Sequence, residues 1–148
     1  MKLAEALLLR SDFQKKIAQL TSRLQPIMLV KSSQEPQEDP SKLLAQLRKT
    51  IIDLEEIIIR INKTNIHTKM PDDRTLMEGL AERDSLKTLV EQLRVLRQSA
   101  QVNIHSSYDL KNTIKLKDIQ SELDQTGRKF RELDTEIQGL NWTIELME

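Results

Sequence analysis

The chain has 148 residues, the size of one domain, and sets 23 lysines and arginines against 23 acidic residues, so it has no overall charge to gather nucleic acid. Cysteine is absent, which removes disulfides, thiolate metal sites and thiol nucleophiles. Three glycines, four prolines and 3% aromatic residues leave little turn chemistry for a many-stranded sheet, and the abundant Leu, Ile, Glu, Gln, Lys and Arg favour helices.

At the start, Glu5 interrupts the apolar run Leu3 to Leu9 and Arg10 ends it, so the segment does not read as a secretory leader. Nowhere do apolar residues approach the ~18 in a row that a membrane span needs. A cytoplasmic protein is therefore expected. Leu3, Ala6, Phe13, Ile17, Leu20 and Leu24 recur at helical spacing and predict a first helix over 3–25, stopped by Pro26. Arg10 is the one charged residue on that stripe. Ile27-Met28-Leu29-Val30 is short, apolar and partly β-branched, which suits a strand, and 31–40 reads as an exposed loop.

Asp39-Pro40 supplies a helix start, with a capping carboxylate and proline at the first helical position. Leu44, Leu47, Ile51, Leu54, Ile58 and Ile61 then keep heptad spacing, while Leu43, Ile52, Ile57 and Ile59 widen the apolar face beyond a two-stranded seam. Lys63-Thr64-Asn65 is the expected polar end, followed by a turn at 70–73. Thr75 and Glu78 form a capping box for a third helix, whose stripe is Leu76, Leu80, Leu86, Val90, Leu93, Leu96 and Ala100, interrupted at Arg83. Fraying is expected between Ala100 and Ser107. Thr113 to Lys117 alternates polar with apolar, as a strand that could pair with 27–30 does. A last helix is predicted from Asp118 to about Met147, on Ile119, Leu123, Thr126, Phe130, Leu133, Ile137, Leu140 and Ile144. The fold class expected is mainly α: one domain over 1–148, an elongated antiparallel bundle of about four helices with a minor two-stranded β-pair.

Arg60 to Asn65, Arg74-Thr75-Leu76 with Leu80 to Asp84, and the ending Arg131 to Thr143 resemble the septicolysin-like family of small, mostly uncharacterised bacterial proteins. The resemblance implies a bacterial helical protein and, through the family name, a membrane-active cytolysin. It supplies no catalytic residue, cofactor or ligand.

The residues themselves offer little reactive chemistry. His67 with Asp72 or Asp73 fits no metal-ligand spacing, and His105 lies far away in sequence. Glu55 with Glu56 and Glu132 with Glu136 read as helix-surface charge. No Glu-x-x-His pair and no glycine-rich phosphate loop occurs. Arg83, Lys87, Arg94 and Arg97 occupy neighbouring turns and could meet phosphates, but Glu82 and Glu91 lie among them and aromatic partners are lacking. Arg10 and Arg83, set into apolar stripes, must be paired or reach water. Glu78, Asp84 and Asp134 are the candidate partners, and such a polar cluster either fixes helix register or marks a pocket.

The expectation is a non-enzymatic structural or interaction protein without cofactor or metal, assembling as a homo-oligomer through helix faces, with neither nucleic acid nor membrane as partner. Two alternatives stand beside it: the cytolysin implied by the resemblance, and a small-ligand binder or enzyme with a polar pocket near Arg10 and Arg83.

Overall fold

Capping chemistry sets where the helices of the computed structural model begin. The model describes residues 1–102 and 110–148, in which four long helices run as α1 (Leu3–Leu24), α2 (Pro40–His67), α3 (Leu76–Val102) and α4 (Leu116–Thr143). Asp39 caps α2: its Oδ1 accepts the backbone N–H of Ser41 at 2.9 Å and of Lys42 at 3.3 Å, with Pro40 in the first turn. At α3 the Thr75 N–H donates to Glu78 Oε2 at 2.7 Å, and the Glu78 N–H donates to Thr75 Oγ1 at 3.2 Å. This is the predicted capping box. It holds the Glu78 carboxyl below the usual glutamate range, first through the Thr75 backbone and then through its hydroxyl.

The chain divides into two compact units, one of residues 1–67 with 141–148 and the other of residues 68–140. In the first, α1 and α2 pack along each other. Leu20 and Leu24 near the end of α1 form a buried cluster with Leu43 near the start of α2, and Ile27 and Leu47 pack against it. Leu9 and Phe13 share a surface groove with Ile57 and Arg60. Early α1 thus meets late α2, so the two helices are antiparallel. Arg23 closes the connecting loop with an ion pair to Glu38.

The end of the chain completes this unit. Leu3 N–H donates to the Ile144 carbonyl at 2.9 Å and Leu146 N–H to that of Met1 at 2.8 Å, forming an isolated antiparallel bridge between Lys2 and Glu145. Lys2 Nζ lies 2.6 Å from Glu145 Oε1 and draws that carboxyl below its ordinary range. The tail also meets α2. Met147 N–H donates to Thr64 Oγ1 at 3.0 Å, while Arg60 Nε and Lys63 Nζ donate to the carbonyls of Met147 and Glu148, each at 3.1 Å. Thr64 is fully buried and donates its own hydroxyl proton to the Arg60 carbonyl at 2.8 Å.

In the second unit, Val90 and Leu93 of α3 form a buried cluster with Ile119 and Leu123 of α4. The turn before α3 is tight: Asp73 takes a left-handed φ of 66°, a conformation aspartate tolerates better than most residues. Met70 N–H donates to the Arg74 carbonyl at 2.8 Å, and Arg74 pairs with both Asp72 and Glu82. Gly79 makes room for this turn, because a Cβ there would lie 2.2 Å from Met70 Sδ.

Four features differ from the sequence expectation. Neither predicted strand forms: Gln25–Ile27 is a 3₁₀ turn with Leu29 91% exposed beyond it, and 113–117 is a bend running into α4. A strand needs a neighbour for its backbone, and among the described residues the bridges of Lys2 with Glu145 and Lys69 with Thr75 are the extended pairings present. α2 continues through Lys63-Thr64-Asn65 to His67, because Thr64 and Lys63 face the tail rather than ending the helix. α4 starts at Leu116, not Asp118, and ends at Thr143, where the chain leaves to pair with Met1 and Leu3. The expected fraying at Ser107, and His105, lie outside the described residues; α3 runs to Val102.

The fourth difference is the register of α2. Its buried positions are Leu43, Thr50, Ile57 and Thr64, seven apart, together with Ile61. Of the expected stripe, Leu44 and Ile51 lie one residue round and are exposed, whereas Ile61 is buried and Leu47 packs against the cluster of Leu20, Leu24 and Leu43. Two threonines disguise the inner stripe. Each returns its hydroxyl proton to the carbonyl four residues back, Thr50 to Gln46 and Thr64 to Arg60, at 2.8 Å, so a buried hydroxyl is satisfied within the helix.

Candidate functional site

With the inner stripe committed to the core, α2 keeps a second apolar face turned to solvent. Leu44 (39% exposed), Ile51 (48%), Ile52 (55%) and Ile59 (47%) lie on it. At about 100° per residue, these four, with the exposed Ser41, Arg48, Glu55 and Asn62, fall within an arc of about 100°. Branched aliphatic side chains left in water cost roughly 1.5–3 kcal/mol each relative to full burial. Between Leu44 and Ile59 the face is apolar at its edges and charged along its middle, where Arg48 and Glu55 have no ion-pair partner among the described residues; the exposed Ile66 continues it towards the end of α2 and has no mirror position in the helix.

These positions have an internal symmetry. Reflection about the midpoint of Ile51 and Ile52 exchanges Leu44 with Ile59, Arg48 with Glu55, and Ser41 with Asn62. Like meets like in the apolar and polar pairs, and opposite meets opposite in the charged pair. A face of this kind is complementary to an antiparallel copy of itself.

The residues singled out in the sequence have the following places. In the second unit Arg83 is half-buried, 2.8 Å from Asp84 Oδ1 and 3.8 Å from Asp134 Oδ1. Asp84 is largely exposed, so the grouping is a rim ion pair and not a sealed cluster. Glu78 is occupied by the cap of α3. Arg10, in the first unit, is half-buried on α1 and has no ion-pair partner among the described residues. His67 sits in the last turn of α2 with Nδ1 2.8 Å from the Lys63 carbonyl, and Asp72 is held by Arg74. No group of three or more metal-ligating side chains gathers among the described residues. No helix among them is long and apolar enough to cross a membrane.

The second unit also holds an open cleft of about 590 Å³ between α3 and α4, in which Arg94 and Arg97 meet Arg128 and Arg131. Sequence reading singled out the first two and missed the others. The signal was a repeated Arg-x-x-Arg, 94 with 97 and 128 with 131, which puts each pair on one helix face.

Residues 10–146 match the model of a family of unknown function, DUF6847. The chain belongs to this family. DUF6847 membership corrects the septicolysin-like resemblance, and with it the cytolysin reading, since neither finding points to septicolysins. The physical content of the residues behind that resemblance is structural: Arg60, Lys63 and Thr64 grip the tail, and Asn141 is buried beside it in the same unit. This DUF6847 chain is also similar to a solved protein from Corynebacterium diphtheriae described as a functionally unknown conserved protein. The two share 28% identity over 99% of each chain, with a TM-score of 0.92. Comparison with curated proteins found no match.

Proposed function

We propose that this DUF6847 protein is a self-associating interaction protein whose work is done by helix surfaces and not by catalysis, and that its partner at the outer face of α2 is a second copy of the same chain. One observation carries the proposal: the outer face is its own complement under an antiparallel two-fold. Across such an axis Ile51 meets the partner's Ile52, Leu44 meets the partner's Ile59, and Arg48 faces the partner's Glu55 twice. Two-fold interfaces require this self-complementarity. A parallel pairing sets Arg48 against Arg48 and Glu55 against Glu55, and like charges across an interface cost several kcal/mol. Ridge packing of this type along Leu44 to Ile59 covers about 23 Å of helix.

The organism of the similar solved protein supports a bacterial setting. A cytoplasmic place belongs to the same reading and is checked by fractionating cells that express the protein. For self-association, Ile52→Glu places two carboxylates at the centre of the pair. The expected sedimentation velocity result is a wild-type species of twice the protomer mass and a variant of protomer mass with unchanged helicity. Equal masses for both proteins would end the proposal.

A further inference from the structure

The arginine cleft of the second unit has a chemistry that the self-association proposal does not use. Arg94 and Arg97 lie one turn apart on α3, Arg128 and Arg131 one turn apart on α4, and all four line the same cleft. Among its described lining residues the one carboxylate is Asp124, and its Oδ1 accepts the Gln120 amide at 2.8 Å. Gln120 in turn accepts from Arg97 Nη1 at 3.0 Å. A neutral amide therefore stands between the acid and the nearest guanidinium.

Arg23 is matched to Glu38 and Arg74 to Asp72 and Glu82, whereas the cleft gathers four guanidinium groups against one described acid. Arg94, Arg128 and Arg131 have no ion pair among the described residues, and Arg97 Nε is buried without any hydrogen-bond partner. A buried N–H of a charged group without an acceptor is costly to leave so.

We infer that this cleft binds a small molecule carrying at least two phosphate groups. Guanidinium groups match phosphate oxygens with paired N–H donors, and four of them against one acid require more than one anionic group to balance. The volume suits a small ligand. Among the described residues nothing aromatic lines the cleft, so these offer bases no stacking platform, and a single-stranded nucleic acid is the poorer fit.

Isothermal titration of the full-length protein with inorganic pyrophosphate and with tripolyphosphate, at low and at moderate salt, tests this. One saturable site per chain is expected, with tripolyphosphate the tighter ligand and affinity falling as salt rises. Arg94→Gln with Arg128→Gln should weaken binding by about tenfold or more, as loss of charge-assisted hydrogen bonds does. Arg97→Lys, which keeps the charge but loses the forked donors, should weaken it less, and Arg48→Gln, outside the cleft, should leave it unchanged. Unchanged circular dichroism shows that each variant folds. No saturable binding of either probe overturns the inference, as does binding that ignores the cleft variants. A cleft-dependent affinity for a single-stranded oligonucleotide without affinity for tripolyphosphate would also overturn it.

Discussion

The two faces of α2 carry similar amounts of apolar side chain but meet opposite fates. The inner one, Leu43, Thr50, Ile57, Ile61 and Thr64, is buried, with its two hydroxyls satisfied inside the helix. The outer one, Leu44, Ile51, Ile52 and Ile59, is left in water with Arg48 and Glu55 unpaired along its middle. Burial is therefore not decided by hydrophobicity alone. The inner face admits threonine because a hydroxyl can bond back to its own helix, whereas a guanidinium or carboxylate there would need a partner from another element.

The contrast is broken most severely from within. Ile61→Ala should destabilise the protomer by about 2–5 kcal/mol, since a side chain 2% exposed is replaced by a cavity. Ile59→Ala, two residues away and 47% exposed, should change protomer stability by less than about 1 kcal/mol. Urea unfolding of both, at a concentration where only protomers exist, measures the difference. Thr64→Val comes next. It keeps the shape but leaves the Met147 N–H without its acceptor, an expected cost of about 1–3 kcal/mol, with faster amide exchange at Met147. Smaller again is Glu78→Ala, which opens the capping box of α3 at about 0.5–2 kcal/mol in thermal unfolding.

The smallest effect is on pH. The Glu145 carboxyl is held below its ordinary value by Lys2, so its ion pair adds stability that is complete above the ordinary glutamate pKa and lost as pH falls through the lowered one. The protection of the Leu146 amide, measured against its intrinsic exchange rate at each pH, should fall on acidification in the wild type. In Glu145→Gln that protection should be low already and flatter with pH.

How much of this was legible in the sequence depends on which signal each element uses. Asp39-Pro40 and Thr75 to Glu78 mark true helix starts, because capping is local chemistry and needs no tertiary partner. Much of the stripes of α1, α3 and α4 also reads through: Leu3, Leu20, Leu76, Val90, Ile119 and Ile137 are buried as their spacing implies, whereas Leu96 of the α3 stripe is exposed. On α2 the heptad through Leu44 and Ile51 follows the outer face, because two buried threonines interrupt the inner one, although Leu43, Ile57 and Ile61 are buried as the wide apolar face implies. The two strand candidates failed because a short β-branched run says nothing about whether an edge exists to receive it. Long-range features left no pattern beyond the two Arg-x-x-Arg pairs, whose spacing does not show that they meet. The grip of Arg60, Lys63 and Thr64 on the tail joins residues more than eighty positions apart, and the arginine cleft draws on two helices.

The central claim is that α2 meets a second α2 in the antiparallel register that sets Arg48 against Glu55, and a charge-swap mixing experiment examines it most directly. Arg48→Glu alone and Glu55→Arg alone each put like charges across both contacts, so light scattering should find protomers in each solution. Mixed in equal amounts, each variant supplies the charge that the other needs at both contacts, and a species of twice the protomer mass should appear. Protomers in the mixture, or dimers in either variant alone, would contradict the account.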